Sequence, residues 1–431
     1  MRGFREIFNR PVHSFFSKGI DSVRIGAGVS SNRINVNIFR HNGITSFVDK
    51  AGTLHVLACL VDPEGCVKIY DDYNGMISSN AVFKDANIAD AHNSPVIAVD
   101  GKGRVHCIIP FHNREAVYLV SGEDLSKEYS ERDLPFSEGF RLTYPEFYSL
   151  PDGGLVLTAR NGRSGDGDIY VARFDSETDL WTSDPIPVIS GAGTCSPYIQ
   201  CCTDTSGRLH ISWCWRDSSD VASNHDIMYI CSRDSTLEDF TDSEGDPCSL
   251  PVTPQTAPMI LEVPTGSMLI NQTSMCTDCN GIPFIASYWR EGGIVRYHIL
   301  KKEGGSWKKY TLPFRRTDYS DSGVGTRSLP IARPFIFSRK DRICLLIRDI
   351  DMNDALCMII MNTDDPSADP ELKYISRKRM GTYEPVADAS TPVIDGKIRI
   401  LAGVTEYSQD NRRIPLHKGQ FYILSFDPED V

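Results

Sequence analysis

Two histidines flank one short apolar run. His92 lies in DAHNSP (Asp90–Pro95), and His112 sits near the end of GRVHCIIPFHN (Gly103–Asn113). The next apolar unit, TYPEFYSLPDGGLVLTARNGRSGDGD, carries Tyr144 and Arg160 at the corresponding places, and the one after it carries Tyr198 and Arg216. These residue types suit proton chemistry beside a carboxylate. Arg and protonated His neutralise a carboxylate and so acidify the adjacent C–H. A Tyr or His then takes that proton, and a second Tyr or His protonates the departing oxygen. A free tyrosine has a pKa of about 10, so a phenolate base needs a guanidinium beside it; Arg160 is the candidate partner of Tyr144. The reaction so described is β-elimination from a uronic acid, and it requires no redox cofactor.

Such residues act together only if the fold gathers them. Helical periodicity is almost absent, and alternating β-branched and aromatic runs dominate, which is the all-β pattern. One unit recurs: an apolar strand, a short Asp/Gly turn and a second apolar strand. Its turns lie in DKAGTLHV, DGKGRVHC, PDGGLVL, TSGRLHIS, CNGIPFIA, SRKDRICL and IDGKIRIL, seven in all. Gly52, Gly103, Gly154 and Gly207 fall 51, 51 and 53 residues apart by subtraction, each at a hairpin position that favours positive φ. A period near 50 with short strands predicts a seven-bladed β-propeller, one four-stranded blade per unit. The expected organisation is a single propeller domain over 31–431, with residues 1–30 as an N-terminal segment available for its closure. A pair of β-sandwiches is the weaker alternative, because the repetition runs over almost the whole chain.

In a propeller blade the strands run from the central channel outward. If the glycine turns join first to second strands on one face, the start of each first strand and the end of each second meet on the other. That rule collects His92, His112, Tyr144, Arg160, Tyr198, Arg216, Asn271, Arg290, Arg333 and Arg348 around one channel mouth. Polar residues at strand ends are ordinary, so the set carries the functional reading and no single member does. His225, in SNHDIMY, opens a third strand on this face and is read evenly as a substrate contact or a loop cap. The Gly-rich NGRSGDGD (Asn161–Asp168) reads as a tight loop holding Arg163 near substrate. Its Asp166 and Asp168 are weak evidence for calcium. His106 and His210 follow the turns on the far face and read as structural. Trp213, Trp215 and Trp289 read as core, with sugar stacking as the alternative. No carboxylate pair suited to glycoside hydrolysis is apparent; Glu146 and Asp217 are the nearest candidates.

At these residues the chain resembles the BNR-repeat propeller proteins that include the seven-bladed ulvan lyases. The matching stretches are DAHNSPVIAVDGKGRVH…PFHN, TYPEFYSLPDGGLVLTARNGRSGDGDIYVARFD, GRLHISWCWRD…NHDIMYICSRD and RPFIFSRKDRICLLIRD, within a resemblance that spans Arg40 to Phe426. The resemblance implies cleavage of the bond between rhamnose 3-sulfate and O4 of a glucuronic or iduronic acid, leaving an unsaturated uronate. Carried over by residue, Tyr144 serves as base or acid, His92 shares the proton transfer, His112 and Arg160 neutralise the carboxylate, and Tyr198 lines the site. Arg216, Arg290, Arg333 and Arg348 are assigned by position alone as contacts to sulfate or a second uronate. Lyases of rhamnosyl-α-1,4-glucuronate, rhamnosidases on the same scaffold and a non-catalytic carbohydrate-binding propeller are the alternatives. The Asp-box that names these repeats is degraded: SRDSTLEDF (Ser232–Phe240) lacks its glycine and tryptophan.

Composition sets the outer limits. The chain has 431 residues, 41% apolar and 24% charged, with a formal net charge of −12. That acidity argues against non-specific nucleic-acid binding but leaves room for a local basic cleft and an anionic uronate-containing polysaccharide or oligosaccharide. No 18-residue apolar run exists, so no membrane span is expected. Met1–Ile20 lacks the apolar core of a signal peptide, which makes the cytoplasm the expected compartment, or a secreted or periplasmic one if a leader has been removed. The 13 cysteines follow no framework spacing and read as small core residues. CTDC (Cys276–Cys279) would need Cys202, His210 or His298 to complete a zinc site. A structural zinc or calcium ion is therefore compatible with the sequence, although catalysis requires no cofactor. No motif specifies an oligomeric state.

Overall fold

The computed structural model describes residues 15–29, 43–62, 64–88, 90–182, 184–325, 329–381, 384, 386–388, 394–404 and 418–429. Seven antiparallel sheets follow one another along the chain, and the protein is a seven-bladed β-propeller. Blade two is typical, with strands Val96–Val99, Val105–Ile109, Val117–Ser121 and Tyr129–Glu131 in spatial order. The first strands of blades one to six lie side by side around the channel. Blade seven is assembled differently. Its inner strands, Val386–Ala387, Ile398–Val404 and Lys418–Phe426, are completed by Asp21–Val29, which pairs antiparallel along Lys418–Phe426 as the outermost strand. Residues 1–14 and 30 of the N-terminal segment lie outside the described residues.

The apolar runs are nearly continuous because both faces of each blade are buried. Successive side chains of a strand point to opposite faces. In blade three, Leu155 and Leu157 pack toward Val96, Ala98 and Ile108 of blade two, while Val156 between them packs toward Ile199 and Ile211 of blade four. Apolar clusters fill every gap between blades. The last joins blades seven and one through Ile25, Val386, Leu401, Ile423, Ile44, Val56 and Leu60. Trp213 and Trp215 belong to the core between blades three and four, and Trp289 stacks on His298 with ring centroids 3.7 Å apart. All three are core residues, so the sugar-stacking alternative falls.

On the far face an aspartate organises the turns. In blade two, Asp100 Oδ1 accepts the N–H groups of Lys102 (2.9 Å) and Arg104 (3.0 Å), and Gly103 adopts φ +74° to close the hairpin. Asp204 repeats the device with Ser206, Arg208 and Gly207 (φ +84°) in blade four. In blade three the positive φ belongs to Gly153 (+83°) rather than the expected Gly154, because Gly153 donates to Leu150 O and closes the turn one residue earlier. Gly153 also meets the neighbouring turn backbone to backbone: Gly101 N donates to Gly153 O at 2.8 Å, and a Cβ on Gly153 would lie 2.7 Å from Gly101 Cα. His106 and His210 are buried behind these turns. Each ring lies between an aspartate and a tyrosine hydroxyl, His106 with Asp100 and Tyr118 and His210 with Asp204 and Tyr229, which is the structural role read from sequence.

Burial pushes His106, His210 and His298 below the ordinary histidine value, His298 to about 4. These rings fold neutral, whereas the unfolded chain binds protons below about 6.5. Stability is therefore full above that value and lost as pH falls toward 4; His298 alone contributes on the order of 3 kcal/mol to the loss. Thermal unfolding should show Tm falling between pH about 6.5 and about 4. His298→Gln should flatten the slope, whatever it does to Tm at neutral pH.

Candidate active site

Blade two supplies an acid–imidazole cluster. Asp90 caps the short 3-10 turn Ala91–Asn93, its carboxylate accepting from His92 N at 3.0 Å. The same carboxylate holds both imidazoles by Nδ1, His92 through Oδ1 and His112 through Oδ2 at 2.7 Å. Asn93, buried beneath, accepts from His112 N at 2.8 Å and donates to Asn87 O at 2.9 Å, which joins the two segments. The rings lie face to face, centroids 3.9 Å apart and 12° from parallel. With Nδ1 fixed on Asp90, Nε2 is the nitrogen each neutral ring offers as acceptor. Burial presses His92 down to about 4. Burial also opposes ionisation of Asp90, but hydrogen bonds from His112 and His92 outweigh it and hold the carboxyl below the ordinary range.

Blade three supplies the tyrosine. The ladder between Leu142–Ser149 and Leu155–Arg163 slips between Thr143 and Glu146. Tyr144, inside the slip, sits at φ +54° and immediately precedes Pro145, two features that disfavour each other. Pro145 lacks the N–H a regular ladder would use, which makes this the natural place for the irregularity. Backbone strain of this kind costs about 1–3 kcal/mol and gathers at functional sites. It directs the Tyr144 ring to His92, 5.7 Å between centroids, and to Tyr198 of blade four, 5.8 Å away.

Arg160 lies behind these rings. Its guanidinium carbon is 4.6 Å from the centre of Tyr144 and 5.3 Å from that of Tyr198. It is 1% exposed, and its Nε and Nη1 have no hydrogen-bond partner among the described residues. The charge thus reaches the site through two aromatic rings, and direct contact with a substrate carboxylate requires one of them to move. Burial, then the neighbouring Tyr198, raise Tyr144 above the ordinary tyrosine range despite Arg160. The expectation that Arg160 makes Tyr144 a phenolate is corrected on this point. In Tyr198 burial is outweighed by Arg160, Arg216 and a hydrogen bond with Ser164, and the phenol is more acidic than usual.

The remaining arginines divide by partner. Arg216 gives Nε to Ser218 O and Nη2 to Ser219 O, shaping its own loop, and turns Nη1 toward Tyr198 Oη at 3.4 Å. Arg290 is taken by Asp318 (3.1 Å), Tyr319 O and Ser320. Arg333 is buried on Glu384 (2.9 Å) and Asn271. Arg348 is buried on Asp354 (3.1 Å) and Leu329 O. The expectation that these three contact sulfate is corrected: each is consumed by an internal carboxylate. His225 is likewise committed, Nδ1 to Asp226 at 2.9 Å and Nε2 to Asp217 at 3.0 Å, and is a loop clasp. Arg163 is exposed without a partner among the described residues, at the tip of the hairpin pairing Leu155–Arg163 with Asp166–Asp175. The tight loop expected there is the turn of this hairpin, and its Ser164 reaches Tyr198 Oη at 2.8 Å.

Sequence reasoning noted Asp90 without its double role, and missed Asn93 and Ser164. The signal for Asp90 was present, since Asp-x-His is an Asx-type cap pattern. Ser164 carried none, because its partner lies in the next blade. Among the described residues, Asp90, His92 and His112 are the one group with metal-ligand spacing, but both Nδ1 atoms already face the carboxylate. Asp168 accepts from Gly191 N, and His298 is held by Thr311 and Trp289 O, so neither joins a metal cluster.

Comparisons place this architecture among known proteins. In fold the chain is similar to the polysaccharide lyase Uly1, at 13% identity and a TM-score of 0.68, covering 96% of this chain and 99% of that one. It is similar also to an ulvan lyase of the polysaccharide lyase family PL25, at 14% identity and a TM-score of 0.68, covering 94% and 96%. A structure of that type bound to -[GlcA(1-4)Rha3S]- gives a TM-score of 0.67 at 14% identity over the same shares. No curated protein sequence matches. The family model of BNR repeat-containing members covers residues 68–315, more than half of the chain, and the protein belongs to that family.

Proposed function

We propose that the protein is a polysaccharide or oligosaccharide lyase that cleaves a rhamnose-(1→4)-uronic acid linkage by β-elimination, on an ulvan-type polymer. The observation that carries the reading is the stacked His92–His112 pair on Asp90, facing a strained Tyr144 backed by Arg160, whose Nε and Nη1 have no hydrogen-bond partner among the described residues. The fold shared with polysaccharide lyases supports it.

In this reading His92 is neutral at physiological pH, and its Nε2 takes the C5 proton. The C4–C5 double bond forms as the C4–O4 bond breaks, and Tyr144, held protonated, gives its proton to O4. The field of Arg160 offsets the charge of the substrate carboxylate, which acidifies C5–H, and His112, held by Asp90, stands stacked against the His92 ring. The products are an unsaturated uronate and a fragment ending in a free rhamnose. Hydrolysis is disfavoured because Glu146 is engaged by Tyr148 and Gln200 and Asp217 by His225. The residues named for the reaction need no metal.

Incubation with ulvan, and separately with a rhamnosyl-glucuronate gum, should raise the ultraviolet absorbance of unsaturated uronate. Release of rhamnose without that absorbance would replace elimination by hydrolysis. Tyr144→Phe should lower kcat by about 100- to 10,000-fold with little change in KM; full activity in that variant would remove the proposed acid. With His92 as base, kcat/KM should rise through pH about 4 and stay flat until Tyr144 ionises, above about 10. Arg160→Met removes a buried charge with two unmet donors. It should leave Tm unchanged or higher while turnover falls by at least about 100-fold, and a large loss of Tm would show that Arg160 serves stability instead.

A further inference from the structure

Seven arginines are buried among the described residues: Arg104, Arg160, Arg216, Arg315, Arg333, Arg348 and Arg399. Five have a carboxylate, respectively Asp100 for Arg104, Asp349 for Arg315, Glu384 for Arg333, Asp354 for Arg348 and Asp395 for Arg399. Arg160 and Arg216 have none among the described residues, and both face one side chain. Their guanidinium carbons each lie 5.3 Å from the ring centre of Tyr198, on which Arg216 Nη1 and Ser164 Oγ converge. A buried charge without a counter-charge is strongly disfavoured. The group placed to supply that counter-charge is the Tyr198 oxygen.

We propose that Tyr198 rests as a phenolate, the internal counter-charge of Arg160 and Arg216, and that this anion keeps Tyr144 in its protonated, proton-donating form. The groups around Tyr198 are consistent with this. Ser164 Oγ, 2.8 Å from the oxygen, can donate its hydroxyl proton to it. Cys214, opposite Tyr198 in the ladder, is a buried thiol turned to Ile270 O. The carboxylates Glu146 and Asp217 are bound elsewhere. Two like charges on adjacent phenols are costly, so one tyrosine ionises and its neighbour does not; environments that push paired groups apart in this way assign acid and base roles. Tyr198 is therefore a positioning residue that acts through Tyr144. Its role in turnover rests on the lyase reading, whereas its ionisation does not.

Ultraviolet difference spectroscopy of the whole protein across pH reads the tyrosinate band directly. Burial pushes Tyr118, Tyr148, Tyr288 and Tyr297 upward, which keeps them out of the window. The tyrosinate band of one tyrosine should already be present at physiological pH and disappear only on acidification, whereas an ordinary tyrosine ionises at about pH 10. That step should vanish in Tyr198→Phe, persist in Tyr144→Phe and move upward in Arg216→Met. Absence of the step, its survival in Tyr198→Phe, or its indifference to Arg216→Met overturns the proposal. If Tyr198→Phe fails to fold, the Arg216→Met and Arg160→Met shifts decide it. In turnover, Tyr198→Phe should move the alkaline limb of kcat/KM to lower pH, because Tyr144 loses its anionic neighbour. A correct spectrum without unsaturated product sinks the lyase reading and leaves the phenolate standing.

Discussion

The pairing of Asp21–Val29 with Lys418–Phe426 joins an N-terminal strand to a C-terminal blade and closes the ring of sheets. Every blade depends on that contact, because each buries its two faces only against neighbours. An open ring would leave Val386, Leu401 and Ile423 without the partners they find in Ile44, Val56 and Leu60. The contact is also among the most distant in sequence, and such pairings add little until the loops between them are ordered. The geometry of the site inherits this dependence. His92 and His112 come from blade two, Tyr144 and Arg160 from blade three, Tyr198 and Arg216 from blade four, and only a closed ring fixes the wedge angles between them.

Within that frame the site is an exception to a rule that the rest of the molecule obeys. Buried arginines elsewhere are neutralised by carboxylates, and buried histidines stay neutral between an acceptor and a hydroxyl. At the junction of blades three and four, two guanidinium groups face aromatic hydroxyls instead, while a few ångströms away one carboxylate serves two imidazoles. The result is a guanidinium-backed wall and an imidazole wall at the same channel mouth. Neither requires a basic protein, which is why both coexist with a net charge of −12.

Much of this was legible in the sequence because propeller blades are local. Asp/Gly turns, alternating runs and near-even spacing are short-range signals, and strand-end logic then brings His92, His112, Tyr144, Arg160, Tyr198 and Arg216 to one face. What was not legible depends on distant partners. Nothing near Arg290 or Arg333 announces that Asp318 and Glu384 will occupy them. Trp213 and Trp215 stand on a strand buried on both faces, where periodicity cannot tell channel from core. The shift of positive φ from Gly154 to Gly153 is a choice between adjacent glycines that backbone hydrogen bonding makes. Tyr144 is the instructive middle case: Tyr-Pro in a strand signals an irregular ladder, but not that the irregularity turns the ring toward His92.

The contact between Gly101 and Gly153 gives the far face a mechanical role. Those two turns touch with no side chain between them, so blades two and three are seated on a hinge of backbone atoms. The histidine pair and Tyr144 stand at the opposite ends of the same two blades. A methyl group wedged into that seat would act as a shim under a lever, opening the angle between the blades and drawing His92 and Tyr144 apart without touching either. The spacing of His92 and Tyr144 thus depends partly on what glycine leaves empty at the other end of their blades.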